Sequence, residues 1–206
     1  MNSQKKLPLL FTCLAFSIIL ITGCGEDEIA SGQFNRCTDD ELEPGQLISN
    51  GNVEAGSTSP CSWWKTDSYG KYNLTSTDQE SFSGRKSLNI SIQNAHTDAF
   101  AYWGQTITTN IPIGMDVTLR AKIKGDLEGE GVSIALRGDD TTSPSGPDAQ
   151  FISTQYKTKI TGQFNWKEYS IKLDNVDSST QSLTVYLIYL PKTTGHVFFD
   201  DISLTY

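Results

Sequence analysis

From Gly45 to the end of the chain, apolar residues recur with period two, and that spacing commits the fold to β-strands. Leu88, Ile90 and Ile92 alternate with Asn89 and Ser91. Val117, Leu119, Ala121 and Ile123 alternate with Thr118, Arg120 and Lys122. Val132, Ile134 and Leu136 alternate with Ser133, Ala135 and Arg137, and Tyr169, Ile171 and Leu173 with Ser170 and Lys172. Gln46 to Ser49 reads as a short strand ending at Asn50-Gly51. Leu183 to Leu190 is apolar on both faces, which places it inside a sheet. Val197 to Thr205 reads as the last strand, with Phe198, Asp200, Ile202 and Leu204 on one inward parity. No run of about ten residues repeats at helical spacing. Short strands broken by Gly, Pro and Asn predict an all-β, two-sheet antiparallel sandwich. Asp139 to Pro147 reads as a surface loop, and Glu128 and Glu130 as a solvated turn around Gly129.

The first residues follow different rules. Lys5 and Lys6 precede an almost unbroken apolar run, Leu7 to Ile21. It is apolar all round, unlike a core helix with one buried face, and shorter than the roughly 20 residues of a spanning helix. It ends in Ile21-Thr22-Gly23-Cys24, which resembles a bacterial lipobox. That resemblance implies a signal peptide over 1–23, a lipid on Cys24, and anchoring in the cell envelope. Gly25 after the cysteine, in place of Asp, implies the outer membrane where the host has two. Residues 24–44 are acidic and polar, with Glu26, Asp27, Glu28, Asp39, Asp40, Glu41 and Glu43, and read as an extended tether. Residues 45–206 then make one domain.

The formal charge is −8, and cleavage would remove Lys5 and Lys6 as well. An acidic chain of this kind is a poor partner for nucleic acid. Of the cysteines, Cys13 falls in the signal segment and Cys24 is the lipid site, which leaves Cys37 and Cys61. In an oxidising compartment the default is a disulfide between them, closing a loop of roughly 24 residues and contributing on the order of 3 kcal/mol. The alternative is a metal pair, for which the two histidines, His96 and His196, lie at the wrong spacing. The sequence has no Gly-x-Ser-x-Gly, no His-Glu-x-x-His and no phosphate-binding glycine loop. A non-enzymatic role is the expectation.

Four segments in order carry a resemblance: Leu47 to Glu54; Phe82-Ser83-Gly84-Arg85-Lys86-Ser87-Leu88-Asn89-Ile90; Val117 to Gly125 with Gly131 to Gly138; and Trp166 to Tyr169 leading to Val197 to Leu204. Together they resemble galactose-binding-like jelly rolls, the fold of many carbohydrate-binding modules in xylanases and cellulases. The resemblance implies that the first and last strands lie side by side. It also implies a structural calcium held by Glu54, Asp200 and backbone carbonyls around Arg85 and Lys86. Calcium takes six to eight oxygens, several of them anionic. The alternative for Asp200 is a carboxylate that caps a turn or pairs with a lysine. Trp166 sits where this family usually keeps a core residue.

Sugars present flat C–H faces that stack on rings, so Trp and Tyr are the leading candidates for contact with a carbohydrate. Adjacent residues in a strand face opposite ways, so at most one of Trp63 and Trp64, and one of Tyr102 and Trp103, faces out. Trp64 and Trp103 are taken as the outward members. Tyr189 shares the parity of Val185 and Leu187 and is expected in the core; Tyr186 is on the opposite parity. Arg120, Arg137 and Tyr186 are expected to share one sheet face. The ordinary alternative is that the rings fill the core and the arginines solvate an outer face. The reading is a lipid-anchored, non-catalytic module that binds a poly- or oligosaccharide beside polysaccharide-degrading enzymes. The alternatives are an envelope-structural or protein-interaction lipoprotein, and an accessory domain of a separate hydrolase.

Overall fold

In a computed structural model of the chain, the described residues are 42–56, 59–94, 99–142 and 149–206. The signal run, Cys24, Cys37, most of the acidic tether, His96 and the later part of the Asp139 to Pro147 loop lie outside them. The architecture is all-β: β1 (Trp64–Asp67), β2 (Asn73–Thr77), β3 (Ser87–Ile92), β4 (Ala101–Ile107), β5 (Val117–Asp139), β6 (Gln150–Ser153), β7 (Ile160–Leu173), β8 (Ser182–Tyr189) and β9 (Thr193–Thr205). Every strand pairing is antiparallel.

One strand organises both layers. The two alternating runs expected as separate strands form the single strand β5. Its first half, from Val117, lies between β7 and β9, and β9 carries on to β3 and β2. Its second half, Val132–Asp139, pairs with β8, which carries on to β4 and β1, while β6 covers its other edge. The passage between the layers falls at Gly129 and Gly131, both at positive φ (94° and 82°). A Cβ at Gly129 would run into the Lys192 carbonyl, and one at Gly131 into the Ile160 carbonyl. Only glycine tolerates both the close approach and the left-handed backbone. Glu128 and Glu130 are exposed as expected, but they lie within the continuous strand β5 rather than in a turn between strands.

The inward residues of the two layers make one core. Leu119, Ile123, Leu88, Ile90 and Phe199 come from one layer, and Ile134, Leu136, Leu183, Leu187 and Tyr189 from the other. Trp103 lies in this core at 2 % exposure, and its indole N–H donates to the Asn89 carbonyl at 3.2 Å, joining β4 to β3. Gln46 to Leu47 bridges the end of β9 rather than forming a full strand, so the domain's two ends lie side by side.

The last strand departs from simple alternation. Val197 and Phe199 point into the core, and so do Ile202 and Leu204. A bulge opposite Ala121, with Asp201 at φ 44°, changes the parity between them. Phe198 and Asp200 therefore face outward, beside Lys124 and Lys122. Asp200 is nevertheless fully buried, because the turn around Phe82 to Lys86 folds over it. Trp166 also lies on this outer face, half-buried and edge-to-face with Phe82 at 6.0 Å, so its role is structural without being in the core.

Candidate functional site

The outer face of the layer β1-β4-β8-β5-β6 brings together the chemistry expected of a binding surface. Cross-strand register places Trp64, Gly104, Tyr186, Ala135 and Ser153 in one row. Thr66, Tyr102, Ile188 and Ser133 form the next row, and Thr106, Thr184, Arg137 and Phe151 the row on the other side. Directly opposed residues in an antiparallel pair share a face.

Three rings meet at the centre. Trp64, Tyr102 and Tyr186 pack edge-to-face at 5.3 to 6.0 Å between centroids. Phe100 stacks on Tyr102 at 5.9 Å. Gly104 makes this possible: a Cβ there would sit 2.5 Å from the Trp64 ring, so the indole lies where a side chain would stand. Such edge-to-face groups hold one another in position. Burial pushes the Tyr186 hydroxyl up to about 12, with Tyr102 adding to the effect. It therefore stays neutral and can both donate and accept a hydrogen bond. Arg137 Nε and Nη2 both donate to Asp139 Oδ1, at 2.9 and 2.8 Å. Asp139 is fully buried, so the guanidinium is held by a fixed counter-charge. Thr106 and Thr184 hydroxyls lie 3.2 Å apart in the same row.

Tyr186 and Arg137 share one sheet face, and Trp64, on β1, joins them there. Two other expected members are elsewhere. Trp103 is the core partner of its pair, because the β4 register turns Tyr102 outward. Arg120 lies on the outer face of the opposite layer, bonded to Thr205 Oγ1 at 3.2 Å. It belongs to the first half of β5, and the Gly129–Gly131 passage separates it from Arg137. Tyr102, Phe100 and Asp139 complete the site. Adjacency to Trp103 signalled Tyr102, but nothing local chose between the two. Trp63 is buried and donates its indole N–H to the Asn50 carbonyl at 3.0 Å.

The corner expected to hold calcium is arranged around N–H donors. Asp200 Oδ2 accepts from Phe82 N and Ser83 N at 2.7 and 3.0 Å, and Oδ1 from Asp201 N at 2.7 Å. Glu54 Oε1 accepts from Arg85 N and Lys86 N at 2.7 and 2.8 Å. Asp200 thus holds the start of the turn and Glu54 its end. Lys86 Nζ donates to the Glu54 and Gly56 carbonyls. These donors satisfy the carboxylates as a turn cap does. Among the described residues no three His, Cys, Asp or Glu side chains converge. Cys61 is half-buried, and no disulfide occurs among the described residues.

This architecture is a jelly-roll β-sandwich, a fold that carbohydrate-binding modules and other proteins share. Similar solved structures include TmCBM61 in complex with beta-1,4-galactotriose, with a TM-score of 0.51, 18% identity, and coverage of 77% of this chain and 97% of that one. The CBM22-1 xylan-binding domain of Paenibacillus barcinonensis Xyn10C aligns with a TM-score of 0.54, 16% identity, and coverage of 80% and 96%. The Stig cyclase Fisc from Fischerella sp. TAU, in complex with (3Z)-3-(1-methyl-2-pyrrolidinylidene)-3H-indole, aligns with a TM-score of 0.59, 17% identity, and coverage of 78% and 96%. The enzymatically active domain of a bacteriophage CBA120 tailspike is also similar, and this chain spans about a fifth of its length. No protein-family model and no curated protein matches the sequence.

Proposed function

We propose that the domain binds carbohydrate, without transforming it, on the outer face of β1-β4-β8-β5-β6. The observation that carries this reading is the meeting of Trp64, Tyr102 and Tyr186 with the Arg137–Asp139 pair on one sheet face. The rings offer apolar faces to sugar C–H groups. Arg137, Tyr186 and Thr106 offer polar partners to the hydroxyls, and the buried Thr184 holds the Thr106 hydroxyl in place. Because Asp139 balances the Arg137 charge, this part of the site suits a neutral sugar ring. The galactotriose and xylan named for TmCBM61 and the CBM22-1 domain support the class of ligand. Tyr102→Ala tests the reading: affinity gels should show retention by polysaccharide falling about tenfold or more, with the melting transition kept. Unchanged retention would remove this face from consideration.

A second reading is that Trp64, Tyr102 and Tyr186 take a flat aromatic molecule, and the indole compound named for the Fischerella cyclase complex favours it. Titration with 4-(1H-indol-3-yl)butan-2-one separates the two, since the sugar reading predicts no quenching of Trp64 fluorescence. The proposal extends to the whole chain as a lipoprotein tethered through Cys24, stapled by Cys37–Cys61, and working beside polysaccharide-degrading enzymes at the cell envelope. Calcium at Glu54, Asp200 and the carbonyls near Arg85 is a separate part of the proposal. It predicts that a chelator lowers the melting temperature, and no change would discard it.

A further inference from the structure

Lysines on this acidic domain are almost all engaged. Lys122, Lys124 and Lys172 pair with carboxylates. Lys65 and Lys86 donate to backbone carbonyls. Lys71 and Lys167 lie over tyrosine rings. The three that remain, Lys157, Lys159 and Lys192, line a single depression of 550 Å³. None of them makes an ion pair among the described residues, although Glu130 lines the same depression. In a chain of net charge −8, this gathers unpaired positive charge at one place.

The depression adjoins the aromatic face. Tyr102 is opposite Ile188, and Ile188 opposite Ser133. Ser133 Oγ accepts from Gln155 N at 3.1 Å, and Gln155 is part of the depression's wall. Leu190 and Pro191, which follow β8, form another part. A chain lying across the rings and continuing past Ile188 would arrive there. Tyr156 stands at this rim, 98 % exposed and at φ 65°. An aromatic residue rarely keeps a left-handed backbone, and here it presents a whole ring to solvent.

We propose that the depression is a second subsite, continuous with the aromatic face, that takes an anionic group on the saccharide, the carboxylate of a uronate residue. Tyr156 packs on the sugar ring that bears it. This rests on the carbohydrate reading above and narrows it to polymers with a neutral stretch and acidic residues or branches. Lys157, Lys159 and Lys192 supply the attraction, and Glu130 opposes it.

The test is affinity electrophoresis of the lipid-free domain in gels containing glucuronoxylan, polygalacturonate or alginate, each also in carboxyl-reduced form. At least one acidic polymer should retard the protein about fivefold more strongly than its reduced counterpart, an effect that weakens from low to moderate salt. The triple variant Lys157→Gln, Lys159→Gln, Lys192→Gln should fall to the level of the reduced polymer, and Glu130→Gln should bind the acidic one more tightly. Equal binding of acidic and reduced polymers overturns the subsite, and so does a triple variant that behaves as wild type. If reduced polymers bind through Tyr102 and charge makes no difference, the subsite fails while the aromatic face stands. If acidic binding depends on the lysines but not on Tyr102, the aromatic face fails. Absence of binding to every polymer overturns both.

Discussion

Gly104 decides which way the site opens. Because it carries no side chain, Trp64 lies across it and reaches Tyr102 and Tyr186. Gly104→Ala should push the indole off the sheet, weaken saccharide binding several-fold, and cost about 1 kcal/mol in chemical denaturation. Trp103→Ala, one position before, should cost about 3–5 kcal/mol, because it empties a core site. Tyr156→Gly should weaken binding to acidic polymers while leaving the denaturation midpoint unchanged or raised, since glycine accepts the positive φ. Asp200 gives the domain a pH dependence. Burial pushes its carboxyl up to about 6, against the pull of the Ser83, Asp201 and Phe82 N–H groups. The folded chain thus holds this proton more tightly than the unfolded chain. The stability it contributes is complete below about pH 4 and lost as pH rises through about 6. The stability of wild type relative to Asp200→Asn should therefore increase by up to about 2 kcal/mol between about pH 7 and pH 4.5. A bound calcium would favour the ionised carboxylate and flatten that slope.

At the scale of elements, β5 carries the argument. Gly129→Ala or Gly131→Ala should destabilise by about 2 kcal/mol or more, measured by denaturant unfolding, since each Cβ meets a backbone carbonyl. The alternation of β3, β5, β7 and β8 was plain in the sequence, because each buries one face or both at period two. What the pattern left hidden was the continuity of β5. Glu128-Gly129-Glu130-Gly131 looks like a turn locally, and only pairing with β7 and β9 shows that the strand runs through it. Arg120 and Arg137 share an outward parity yet face opposite sides of the molecule for that reason. The bulge at Asp201 is the second instance. It is invisible to periodicity, and it moved Asp200 from the core side to the side covered by the Phe82–Lys86 turn. Strands β1, β2, β4 and β6 are short and polar or mixed, so tertiary pairing rather than local pattern defines them.

Residues 45–206 make a two-layer sandwich whose rings gather on one sheet face, with three lysines lining a depression beside it and the opposite sheet partly roofed by the Phe82–Lys86 turn. The resemblance of four scattered segments was enough to reach the fold, because they mark the strands that set the register and the ends that meet. It could not choose the binding residues, since those depend on which member of each aromatic pair faces out. The disulfide proposal predicts that reducing the full mature chain lowers its melting temperature and raises its thiol count by two. Saccharide recognition by the ring face is put to the test by a glycan array probed with the lipid-free domain, as wild type and as Trp64→Ala/Tyr102→Ala with its fold verified. The account predicts that wild type binds a defined set of glycans, leaves them chemically intact, and loses them in the double variant. Binding that persists in the double variant, no binding by wild type, or turnover of a bound glycan would contradict it.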